Sequence, residues 1–293
     1  MPTVRLRVRV FSLLWSLLRI TCFTALLCIG RGFAVQTQPP QTPEQTEARD
    51  ALNQGVQAFK NGQYDEAARL FEHAKQLDPR LVNARLYLAT TYASQYIPGA
   101  PSEENKQRGE RAIAEYKDIL QMDPQNLSAI DGAGSLLFQM AGTPFNSNGF
   151  LESKTYHLKH IAIKPDDPEP YYWVGVIDWT LSFRANGELR QAYNGTHPHG
   201  LAPPAPLPPD LRDQYAREYG PTIDEGIDEL KRAVVLRPDY DDALAYLNLL
   251  YRSKADTAAD PSERREFLKT ADQLVDRVKE IKQQRAQAQP QQH

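Results

Sequence analysis

The sequence predicts an all-α fold, a solenoid of helical hairpins stacked in chain order, and three observations predict it. Apolar residues recur at helical spacing from about residue 48 onward, and no stretch alternates strongly enough to compete as a strand. Small residues and turn glycines recur within units of similar spelling. Each unit closes on a proline, at Pro79, Pro124, Pro165 and Pro238, separated by 45, 41 and 73 residues. A proline cannot continue an intrahelical bond and restricts the residue before it, so each marks a helix end. A uniform array would space them evenly, so the longer gaps predict insertions within units.

The chain has 293 residues. Residues 1–34 read as a secretory signal peptide. Arg5, Arg7 and Arg9 form a basic start, two apolar stretches follow on either side of Arg19, and Gly32-Phe33-Ala34 offers small residues for cleavage before Val35. The expected location is therefore exported, periplasmic or secreted. The rival reading keeps residues 10–30 as a membrane anchor, about the ~20 residues a bilayer requires, at the cost of a mid-span arginine. Membrane contact is expected only in that case. A lipoprotein signal centred on Cys28 is disfavoured by bulky Leu27. Cys22 and Cys28 both lie in this segment, so a chain starting at Val35 has no disulfide, thiol chemistry or cysteine-ligated metal. Losing its five arginines from 34 basic residues leaves 29 against 37 acidic, a formal charge of -8. Nucleic acid is excluded as an expected partner, because its binding needs a basic face.

Residues 35–46, rich in Gln, Pro and Thr, read as a disordered linker. The clearest unit follows at 48–81, with Gly55, Phe59, Gly62, Tyr64, Ala67, Phe71, Ala74 and Asp78-Pro79. This unit resembles the tetratricopeptide repeat, a 34-residue pair of antiparallel helices. The resemblance places Gly55, Ala67 and Ala74 where small residues let the two helices approach closely, and Gly62 at the turn between them. The same frame finds Ala89, Tyr92, Ala112, Tyr116 and Ile119 in a second unit. A third carries Gly134, Leu137, Ser153, His157 and His160. A fourth carries Tyr171, Gly175, Asp178, Gly226, Leu230 and Ala233. Insertions of about 11, 7 and 39 residues separate the helices of these three units, and the third departs from the family by placing His160 at a small-residue position. A further first-type helix at 241–251 leads to a closing helix at about 261–283, whose apolar stripe is Phe267, Ala271, Leu274, Val278 and Ile281. The repeat domain thus spans 47–283. Residues 284–293 form a polar, disordered tail.

In the family, first helices build the inner wall. The resemblance carries that wall onto Asn83, Leu86, Thr90, Asp131, Ser135, Phe138, Tyr172, Val176 and Trp179. These suit a peptide or protein segment laid in a groove. The family's carboxylate clamp, Lys and Asn on successive first helices, has no counterpart here. Residues 167–183 concentrate Trp173 and Trp179 beside Tyr171 and Tyr172, and Asp167-Pro168 is a good helix start. The long insert, about 184–219, is proline-rich and is expected to lie as an extended strap covering the inner wall, with a short helix near 211–219, the other reading being solvated disorder.

The expected role is a non-enzymatic, exported interaction scaffold with no cofactor. No P-loop, GxSxG elbow, dinucleotide fingerprint or HExxH is present. The alternative is a metal-binding or enzymatic protein in which His157, His160, His197, His199 and Asp178 converge where the insert folds back. A membrane-tethered adaptor of an envelope assembly is the other.

Overall fold

The structure, a computed structural model, describes residues 42–197 and 199–288. Residues 1–34, expected to be a signal peptide, and most of the expected linker lie outside these residues. Ten helices are described and no strand: α1 (Pro43–Lys60), α2 (Tyr64–Leu77), α3 (Val82–Gln95), α4 (Glu103–Met122), α5 (Leu127–Gly142), α6 (Ser147–Ile163), α7 (Pro168–Asn194), α8 (Pro209–Leu236), α9 (Asp241–Ala255) and α10 (Pro261–Ala288). Two edges of the expected domain move. Thr42 caps α1, its hydroxyl accepting from Gln45 N–H while the Gln45 side chain accepts from Thr42 N–H, so residues 43–46 are helix rather than linker. Residues 284–288 continue α10 rather than belonging to a loose tail.

Four second helices end alike. Asp78, Asp123, Lys164 and Arg237 leave helical geometry, each N–H still bonding four residues back, to Ala74, Ile119, His160 and Ala233. A proline follows every one of them and blocks the next bond. The first turn is fixed by Gly62, whose φ of 74° suits a residue without a Cβ.

Each helix packs on the next, and first helices also meet one another, α1 on α3, α3 on α5 and α7 on α9. This is the stacking through which hairpins that cannot bury both faces alone complete a core. Small residues set the spacing within a hairpin. A Cβ on Gly55 would stand 2.5 Å from Phe71 Cε1, and one on Gly175 would stand 2.3 Å from Leu230 Cγ. Gly175→Val is therefore expected to cost about 1–3 kcal/mol through overpacking, read as a lowered urea midpoint. In the third unit the small-residue role shifts. Ser153 Oγ donates to Gly134 O at 2.7 Å, and Gly134 leaves room for the His157 ring, so α5 and α6 pair closely despite His160.

The insertions are taken up mainly as added helix. Helices α7 and α8 run to 27 and 28 residues, and only residues 195–208 between them are non-helical. The two extensions are tied by Tyr215, buried and donating to Ser182 O at 3.1 Å. Pro221 sits inside α8, where the added turns join the repeat's own second helix. The expected strap over the inner wall is not formed. Ala205 O accepts from Arg190, Pro204 O accepts from Arg264, and Arg190 and Asn186 both reach Asp256, so the loop is fastened to the α9–α10 turn. Its prolines cannot donate to a ladder, and arginines supply the missing bonds.

Candidate functional site

First helices carry the side chains expected to line the wall, and the structure joins three of the nine into one surface. Phe138 on α5 meets Trp173 on α7 edge to face, ring centres 5.2 Å apart. Trp173 continues to Tyr172 at 5.3 Å, and Tyr172 to Tyr246 on α9 at 5.7 Å. Tyr246 meets Trp179 at 5.2 Å, and Trp179 stacks on Phe183 at 5.0 Å. Offset and edge-on pairs of this kind add about 0.5–1.5 kcal/mol each beyond their burial. The result is a continuous aromatic ladder across α5, α7 and α9. Its last ring, Phe183, is 59% exposed and stands on α7 just before the insert begins.

The other six expected residues play different parts. Val176 shares the helix face of Tyr172 and Trp179 but is only 3% exposed. It is core and is withdrawn from the wall. Asp131 Oδ1 accepts from His160 Nδ1 at 2.6 Å, which ties α5 to α6. Thr90 Oγ1 donates to Leu86 O at 2.8 Å, and Leu86 packs into the second unit's core. Asn83 is exposed and Ser135 half-buried, neither in contact with the ladder rings through a hydrogen bond or ring pair. The residues missed were Tyr246, Tyr240 and Phe183. Phe183 closes the aromatic run 167–183, while Tyr246 lies one place off the positions the resemblance uses.

Electrostatics grade along the ladder. Tyr240 donates to Glu169 Oε2 at 2.8 Å and lies under the Arg237 guanidinium, whose nitrogen is 3.6 Å from the same carboxylate. Burial pushes the phenols of Tyr172, Tyr240 and Tyr246 up, so all three stay neutral and able to donate. Asp242 adds to the rise at Tyr172 and Tyr246, which places its negative charge beside them.

The histidine reading is corrected. His157 stacks on Trp173, and burial drives it down to about 4, so it is neutral near pH 7. His160 faces Asp131, with Asp167 3.6 Å from its other nitrogen. Asp178 bonds Lys154, and His197 stacks on Tyr193 in the α7–α8 loop. The five do not converge, and among the described residues no group of three or more His, Cys, Asp or Glu is placed to hold a metal ion. Also among the described residues, no helix is long and apolar enough to cross a membrane.

A cleft of about 740 Å³ lies elsewhere, between α2, α3 and α4. Its charges are mixed and spoken for: Arg69 pairs with Glu66, Arg108 with Glu104, and Arg111 lies over Tyr92. It offers no focused chemistry, whereas the ladder offers open aromatic surface.

Stacked hairpins of paired helices define an α-solenoid of the kind built to present an interaction surface. Residues 48–81 match the family model for the tetratricopeptide repeat, and the described hairpins that follow stack on that repeat in the same manner. Among solved structures it is similar to MamA 41-end from Desulfovibrio magneticus RS-1, at 16% identity and a TM-score of 0.53, covering 83% of this chain and 98% of that one. The MamA RS-1 ArsTM double mutant gives 15% and 0.53 over 82% and 96%. A further MamA crystal structure gives 14% and 0.51 over 80% and 94%. At these identities the likeness is one of fold. No curated protein matches the sequence.

Proposed function

We propose that the chain is a non-enzymatic scaffold, exported from the cytoplasm, that holds a segment of another protein against the aromatic wall of α7 and α9. The observation that carries this is the ladder itself, a run of rings that is preorganised by mutual packing yet ends in exposed aromatic surface. Aromatic side chains anchor protein interfaces at low entropic cost, and truncating such an anchor costs 2 kcal/mol or more at a typical hot spot. Pull-downs from an envelope fraction with the chain and with its Tyr172→Ala/Trp179→Ala variant test it. The parent is expected to recover a partner that the variant loses at least about tenfold. Equal recovery by both would place binding elsewhere on the molecule.

Export is supported by the basic start and apolar stretches of residues 1–34. N-terminal sequencing of the protein from its producing cells should read from Val35. A chain beginning at Met1 and held in the membrane would favour the tethered adaptor.

A further inference from the structure

We infer that the segment this wall takes is cationic, an extended peptide whose lysine or arginine side chains lie on the exposed ring of Phe183 and the half-buried ring of Trp179 and face Asp242. This rests on the reading of the wall as a docking surface and narrows its occupant.

The protein's own side chains show the mode of contact. The Arg184 guanidinium lies over the Phe145 ring, 5.2 Å from its centre, and Arg237 lies 4.3 Å from the centre of Tyr240. A cation over an aromatic face is attracted by the negative face of the ring, more strongly as water is excluded. Phe183 stands one residue from Arg184, and with part of Trp179 it remains uncovered.

Charge around the wall points the same way. The basic groups at its border are already matched: Arg184 with Glu188 at 2.6 Å, Arg237 with Glu169 at 3.6 Å, and Arg252 with Asp272 at 2.6 Å. Asp242 is exposed and has no basic partner among the described residues. The described residues as a whole carry 29 basic against 37 acidic groups, the other five basic residues lying in 1–34. A like-signed partner would meet repulsion at the wall and at long range, and an opposite one would be steered in.

The dimensions also fit. Glu169 to Phe183 is fourteen helical steps along α7, roughly 21 Å at the helical rise. An extended peptide of about six or seven residues covers that length.

The test uses the chain from Val35 onward and three synthetic decamers, (Lys-Pro)5, (Gln-Pro)5 and (Glu-Pro)5. Binding is read from the fluorescence of Trp173 and Trp179, the two tryptophans outside 1–34, and from calorimetry at low and high salt. The lysine decamer is expected to bind about tenfold or more tighter than the glutamine one, with the glutamate one weakest and the preference shrinking as salt rises. Asp242→Asn and Phe183→Ala should each weaken the lysine decamer about three- to tenfold while the helical signal and melting are unchanged. Equal binding of the lysine and glutamine decamers would overturn the cationic preference and leave the docking surface standing. Tightest binding of the glutamate decamer would do the same. Absence of any binding, with both variants indistinguishable from the parent, would overturn the docking surface as well.

Discussion

Lys154→Met is expected to cost about 3–5 kcal/mol of stability at pH 8 and distinctly less at pH 5. Asp178 on α7 is 0% exposed, and its Oδ1 accepts from Lys154 Nζ of α6 at 2.6 Å, while Glu225 of α8 approaches the same ammonium at 2.9 Å. Removing one partner of a buried pair leaves an uncompensated charge, which is where a cost of about 3–5 kcal/mol arises. Burial raises the Asp178 carboxyl from 3.8 to about 7, with Glu225 and Glu229 adding to the rise and Lys154 opposing it. A carboxyl raised on folding binds its proton more tightly in the folded state. That contribution is full below 3.8 and is lost as the pH climbs through about 7. Without Lys154 the carboxyl has no cation to offset ionisation, so the variant suffers most where Asp178 would be charged. Urea unfolding of parent and variant at the two pH values checks this. Adding Asp178→Asn to the variant should flatten the pH dependence, and an equal loss at both pH values would rule out the buried carboxyl as its source.

Phe71→Ala is expected to cost about 3–5 kcal/mol, within the range for emptying a large buried ring. Phe71 on α2 fills the hollow above Gly55 of α1 and stacks on Tyr87 of α3 at 5.4 Å, so one side chain closes the first hairpin and joins it to the second. Stability in a stacked array is carried by each hairpin and its nearest neighbours. Hydrogen exchange in the variant should therefore rise most in α1, α2 and α3 and least in α9 and α10. A uniform rise along the chain would mean that the hairpins unfold as one block.

Much of this architecture is legible in the residues because it is written locally. Pro79, Pro124, Pro165 and Pro238 end helices through a backbone limitation that needs no partner. Gly62 and the Asp167-Pro168 start act within a single turn, and Asp167 does cap α7 by accepting from Glu169 N–H. What was misread depends on contacts distant in sequence. Val176 reads as wall because its helix face is right, whereas its burial follows from how α6, α8 and α9 pack around α7. The 184–219 insert reads as a strap because its prolines dominate the eye. Its flanks instead extend α7 and α8 in step, held by Tyr215 and Ser182, a pairing no periodicity announces. The histidines share a residue type but not a place, since His157 and His160 were taken into hairpin packing and His197 into the loop.

Hydrogen exchange on the chain, free and bound to the partner recovered with it, tests the account most directly. Protection is predicted to concentrate in residues 169–183 and 242–246, where the ladder and Asp242 lie. Protection confined to residues 65–111, around the cleft between α2, α3 and α4, would contradict it.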